Sequence, residues 1–132
     1  MTQPGLETIR RYLAALEAFT HGDALAPYFT DDVRFHELPN RLVPEGRVRD
    51  RAALLAASSM APQVLSAQTY VVRRAVEAGP TVALDVDWTG TLRVPLGNTP
   101  AGGVLRARLA MFVTLREGRI AEQTNFDCYQ PF

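Results

Sequence analysis

Apolar residues recur near the start of the chain at spacings of three and four: Leu6, Ile9, Leu13 and Leu16. This spacing predicts one stripe of an amphipathic helix, with Glu7, Arg10, Arg11 and Glu17 off it. Tyr12 falls at the flank of the stripe, in line with Phe19, where a ring can be buried and its hydroxyl held at a boundary. Gly22 ends this helix, and Asp23 caps a short second one from Ala24 to Phe29, with Pro27 in its first turn. The period then changes to two. Val33, Phe35 and Glu37 share one side of a strand, and Arg34, His36 and Leu38 the other. Pro39 and Asn40 end it, and Pro44 to Arg49 reads as loop. Asp50 caps a third helix, from Arg51 to about Met60, which Pro62 stops.

Everything after that is strand-like. Gln68–Glu77, Thr81–Leu92, Leu105–Leu115 and Arg119–Tyr129 are four runs separated by turn residues. In the second run Val82, Leu84, Val86 and Trp88 point one way, and Ala83, Asp85, Asp87 and Thr89 the other. Glu117-Gly118 is a tight hairpin signal. Counting outward from it, Leu115 faces Ile120, Phe112 faces Gln123, Ala110 faces Asn125, and Arg108 faces Asp127 as a cross-strand ion pair. A β-bulge would shift every pairing. Helices first and a long antiparallel sheet after predict an α+β fold, with the helices packed on one sheet face.

The 132 residues fit one domain, 1–132, with one core. Fourteen Arg balance fourteen Asp plus Glu, so charge gives no reason to expect nucleic acid or an anionic membrane as partner. There is no Lys, which excludes lysine Schiff-base chemistry. Cys128 is the only cysteine, so no internal disulfide forms, and it reads as a small packed hydrophobe. The charged first twenty residues do not read as a signal peptide, and no apolar run reaches the ~20 residues of a membrane span. The expected location is the cytoplasm. Only two histidines occur, without metal-site spacing, and no dinucleotide or phosphate-loop motif is present, so neither metal nor cofactor is expected.

The element order, the GD…F-x-DD passage at residues 22–32 and the late EGRI hairpin resemble the nuclear transport factor 2-like superfamily over nearly the whole chain. The resemblance is to its small-molecule branch: SnoaL-like polyketide cyclases, steroid Δ-isomerases and limonene epoxide hydrolases. It implies a cone, in which a curved, mostly antiparallel sheet wraps three N-terminal helices around a pocket. It also implies a homodimer through the outer sheet face. RRYLAAL resembles the helix segment in which isomerases place an oxyanion-donating tyrosine, here Tyr12. Counting from Asp31-Asp32, their catalytic carboxylate falls on Glu37. The isomerases' second acidic donor is missing, since Ala107, Arg108 or Ala110 stands there. The epoxide hydrolases' last-strand aspartate falls on Asn125. SnoaL-like cyclases use an acid of the same sheet, for which Asp87 and Asp127 are candidates.

These residues lead to an expected site. Glu37 or His36 is the base that removes a proton alpha to a carbonyl. Tyr12, Asp87 and Asn125 donate to the developing oxyanion. Tyr28, Phe35, Trp88, Phe112 and Asp127 contact a small hydrophobic, carbonyl-containing or polyketide-like molecule. The competing expectation is a pocket that binds a ligand or partner without chemistry.

Overall fold

A computed structural model describes residues 3–132. Two α-helices, α1 (Pro4–Glu17) and α2 (Arg51–Val64), pack against a six-stranded sheet. Its strands are β1 (Phe29–Glu37), β2 (Arg47–Arg49), β3 (Leu65–Ala78), β4 (Thr81–Leu92), β5 (Val104–Arg116) and β6 (Arg119–Tyr129). The order across the sheet is β2-β1-β6-β5-β4-β3. All neighbours are antiparallel except β1 and β6, which run parallel. The sheet is curved and unclosed, and the α+β cone expected from the sequence is the observed architecture. No helix among the described residues is long and apolar enough to cross a membrane.

The inner face follows the alternation of the strands. Val82, Leu84, Val86, Trp88 and Leu92 of β4 are buried, as are Leu105, Ala107, Leu109, Met111 and Val113 of β5. Ile9, Tyr12 and Leu13 of α1, Leu54 of α2, and Phe29, Val33 and Ile120 complete the core. Each of the large aliphatic side chains at or near zero exposure contributes roughly 1.5–3 kcal/mol. Gly90 has a steric role: a Cβ there would come within 2.5 Å of the Trp88 ring, so the glycine leaves room for the indole on the inner face.

Several local expectations are corrected. The second helix is two single 3-10 turns, Gly22–Ala24 and Ala26–Tyr28. Helix α1 ends earlier than Gly22: Phe19 takes the left-handed conformation (φ 56°), and the Thr20 N–H donates to the Ala15 carbonyl at 2.9 Å. Pro62 lies inside the last turn of α2, where it forfeits one backbone bond; Leu65 N–H still reaches Ala61 O. The segment read as loop contains β2, which pairs with β1. Asp50 caps α2 as expected, its Oδ1 accepting from Ala53 N–H at 2.9 Å. The first turn of α1 has a distant cap instead, Leu6 N–H donating to Glu77 Oε1 of β3 at 2.8 Å.

The β5–β6 hairpin decides what faces inward. Glu117 and Gly118 both have positive φ, as a two-residue turn requires, and Leu115 faces Ile120 as counted. A bulge then absorbs Ala121, so that Thr114 pairs with Glu122, Met111 with Asn125 and Leu109 with Asp127. The expected Arg108–Asp127 pair does not form; Arg108 stands opposite Cys128. Gln123, Asn125 and Asp127 thereby join the inner face. Cys128 is exposed, not packed.

Candidate functional site

The inner face of the sheet, α1 and α2 enclose a cavity of about 260 Å³. Its apolar wall includes Leu16, Phe29, Phe35, Leu54, Trp88, Leu109 and Met111. Its polar groups are Tyr12, Glu37, Arg47, Arg49, Ser58, Gln68, Tyr70, Gln123, Asn125, Asp127 and Tyr129. Neighbouring strands bring these groups together. The parallel β1–β6 register sets Phe35 beside Gln123 and Glu37 beside Asn125. The β1–β2 register sets Arg47 beside Glu37 and Arg49 beside Phe35.

Glu37 is buried, at 7% exposure. Its Oε1 accepts from Arg47 Nε at 2.8 Å and its Oε2 from Asn40 Nδ2 at 2.9 Å. Asn40 Oδ1 in turn accepts from the N–H groups of Leu42 and Val43, so one side chain ties this carboxylate to the loop after β1.

Asp127 has no ion-pair partner among the described residues. Its Oδ1 is buried and has no hydrogen-bond partner among the described residues. Burial, and then the negative charge of Glu37, push its carboxyl up to about 6; the Asn125 side chain and the more distant Arg47 offset part of this. The site thus holds two carboxylates in different environments, one with a counter-ion and one without. Beside them Gln123 Nε2 donates to Asn125 Oδ1 at 2.9 Å, a buried amide pair that fixes Asn125.

Burial pushes the phenols of Tyr12, Tyr70 and Tyr129 above the ordinary tyrosine range, so all three remain protonated donors. Tyr70 is positioned from α1: its N–H donates to Glu17 Oε2 at 2.7 Å, while Gln68 Nε2 donates to Leu16 O at 2.8 Å. Gln68 Oε1 accepts from Trp88 Nε1 at 3.1 Å, which orients the indole against the cavity.

Of the residues expected from the sequence, Tyr12, Phe35, Glu37, Trp88, Asn125 and Asp127 line this cavity. Four do not, and their expected placement is corrected. His36 alternates with Glu37 on β1, pairs with Val48, and points to the opposite face of the sheet. Asp87 lies on the outer face with Asp85. There Arg73 Nη1 meets Asp87 at 2.8 Å, Arg74 meets Asp85 at 3.0 Å, and Arg108 donates to Asp85 at 2.9 Å. Arg108 foremost, and Arg74 with it, hold the Asp85 carboxyl well below the usual range, so it is no proton donor. Phe112 is 48% exposed on the outer face, edge-on to Phe126. Tyr28 sits one layer behind the cavity, its ring 5.6 Å from that of Tyr12 and its hydroxyl donating to Arg11 O.

Arg47 and Arg49 stand outside the site expected from the sequence because Pro44 to Arg49 reads as loop. Gln123 stands outside it because the bulge at Ala121 has no local signal. Tyr70 and Tyr129 lie in strand runs whose facing the local pattern leaves open. The Val48 that separates the two arginines was the available signal of a short alternating strand.

An α+β cone with a mixed, curved sheet and an interior pocket of this kind defines a nuclear transport factor 2-like protein. Within that class the chain belongs to the SnoaL-like domain family, which matches residues 9–123. Solved structures share the fold. IdmH from Streptomyces antibioticus, a candidate polyketide cyclase, superposes with a TM-score of 0.75 at 24% identity, covering 96% of this chain and 92% of its own. AclR from Streptomyces galilaeus, a candidate hydroxylase, gives 0.76 at 13% identity, covering 96% of this chain and 80% of its own. A protein of ketosteroid isomerase-like fold from Catenulispora acidiphila, in complex with trimethylamine, gives 0.70 at 16%, covering 91% and 84%. At these identities the likeness establishes the fold. No curated protein matches the chain by sequence.

Proposed function

We propose that the protein is a cofactor-free acid–base enzyme that moves protons on a small hydrophobic carbonyl or polyketide-like molecule held in the cone. The observation that carries this reading is the Asp127 carboxyl, buried without a counter-ion beside the ion-paired Glu37. A base at about 6 is stronger than an ordinary aspartate, yet it is ionised at neutral pH. Asp127 takes the proton from the carbon alpha to the carbonyl. The electron pair moves to the carbonyl oxygen, where the neutral phenol of Tyr12 donates to the enolate and Asn125 supplies a further amide donor. The protonated Asp127 then returns the proton at carbon in an isomerisation. The role of base thus passes from Glu37 to Asp127, and Glu37 with Arg47 sets the field in which Asp127 titrates. We take this SnoaL-like unit to extend over 1–132 and to act in the cytoplasm, where a lone unbridged thiol is ordinary.

The test needs no native substrate. 5-Nitrobenzisoxazole loses a carbon-bound proton to any well-placed base as its N–O bond breaks. Its elimination should rise through pH 6 in the wild type and fall roughly a hundredfold or more in Asp127→Asn. An unchanged rate and pH profile in that variant would sink the proposal and leave a binding module.

We also infer a homodimer through the outer sheet face. Val71, Phe112 and Phe126 are exposed there around the Arg73–Asp87 and Arg108–Asp85 pairs. Sedimentation of the wild type and of Phe126→Glu tests it, and a monomeric wild type refutes it.

A further inference from the structure

Strand β2 is built inside out. A half-buried strand puts its apolar residue toward the core and its charges toward water. Here Val48 is 60% exposed, while Arg47 and Arg49 face the cavity that they line. The register makes this unambiguous, because Arg47 pairs with the inward Glu37 and Arg49 with the inward Phe35. Such an inversion opposes the hydrophobic pattern, and opposition of that kind is expected at functional positions.

For Arg47 the protein itself supplies the reason, in the ion pair with Glu37. For Arg49 it does not. Among the described residues no carboxylate lies within ion-pair distance of its guanidinium, and no acceptor takes a hydrogen bond from it. It is half-buried, and burial disfavours its charge, as does Arg47 beside it. Glu37 is near enough to favour the charge. A planar guanidinium that cannot lose its proton, partly stripped of water and unpaired, is a standing site for a planar anion.

The charges lining the cavity lead to the same place. Glu37 and Arg47 cancel. What remains is one cation, Arg49, and one acid, Asp127, in a cavity whose apolar wall includes Phe35, Trp88, Leu109 and Met111. We propose that Arg49 forms a carboxylate subsite, so that the molecule held in the cone is a hydrophobic carboxylic acid. The substrate claim rests on the proton-transfer reading given above, whereas the subsite itself is a binding property. Its carboxylate is received at Arg49, and its apolar body lies along the aromatic wall with the reacting carbon toward Asp127.

Equilibrium binding tests this without any chemistry. Trp88 is the only tryptophan and lines the cavity, so its fluorescence reports occupancy directly. The probes are 4-tert-butylbenzoate and its neutral near-isostere 4-tert-butylbenzamide, each titrated into the full chain at neutral pH. The benzoate should bind the wild type at least about tenfold more tightly than the amide. In Arg49→Met this preference should vanish while the amide affinity stays within about twofold. Arg49→Gln is a second neutral variant, so the conclusion does not depend on one substitution folding. Equal affinity for the two probes in the wild type overturns the proposal. So does a preference that survives in both neutral variants, or an equal loss of both probes on substitution. The elimination assay on Asp127→Asn reports on the catalytic reading separately, so the two fail in distinguishable ways.

Discussion

Replacing Asp127 by asparagine should stabilise the protein at pH 8 and leave its stability nearly unchanged at pH 4. The carboxyl is pushed from 3.8 to about 6 in the folded chain, first by burial and then by Glu37. Between those values the folded state holds a proton that the unfolded chain has released. Stability therefore falls as pH rises through the window from about 4 to 6, and above it the full penalty is present. About two powers of ten in proton affinity correspond to roughly 3 kcal/mol. Asparagine keeps the shape and removes the charge, but its amide also needs a partner where Oδ1 has none. The expected net gain is therefore about 1–3 kcal/mol at pH 8, against about zero at pH 4. Urea unfolding of both proteins at the two pH values, with the slopes compared, reads it out. A gain of equal size at both pH values would refute the reasoning, as would a loss at pH 8. The expected sign is the one that a residue kept for its chemistry, at some cost in stability, should show.

Glu37→Gln removes the like charge beside Asp127 and releases Arg47, so the Asp127 midpoint, followed by carboxyl-carbon NMR, should fall below 6 while burial keeps it above the ordinary aspartate value; a midpoint that does not fall contradicts the part assigned to Glu37. Gly46→Ala should destabilise the protein by at least about 1 kcal/mol, read as a lower Tm, because φ is +68° there and the new Cβ would stand 2.7 Å from the Glu37 carbonyl oxygen. Asp87→Asn, on the outer face, should leave the benzisoxazole elimination within about twofold of wild type; a large loss would mean that the inner and outer faces of β4 have been misassigned.

The local sequence alone determined the α1 stripe and the alternation of β1 and β4 through their hydrophobic periods, the hairpin through Glu117-Gly118 and the cap of α2 through Asp50. Each depends on residues adjacent in sequence, where the physics is local. The local sequence also determined that Glu37 and Phe35 share a face, and that Tyr12 lies beside the apolar stripe of α1. Tertiary structure decided the rest. One bulge at Ala121 sets which residues of β6 face the cavity, because a single extra residue reverses every side chain beyond it. It turned Asp127 from the expected partner of Arg108 into a buried acid, and brought Gln123 into the pocket. Asp85 and Asp87 alternate with the buried β4 stripe, and what the tertiary structure added is their partners, the arginines of β3 and β5, which only sheet pairing brings to them. The cap that Glu77 gives α1 and the bond that Glu17 accepts from Tyr70 N–H, both across the fold, are of the same kind. Three residues of β2, paired only through β1, turned two arginines inward, and no local preference of the RVR segment could reveal that. The pattern of the chain sets which faces are apolar, and the register sets which polar groups those faces enclose.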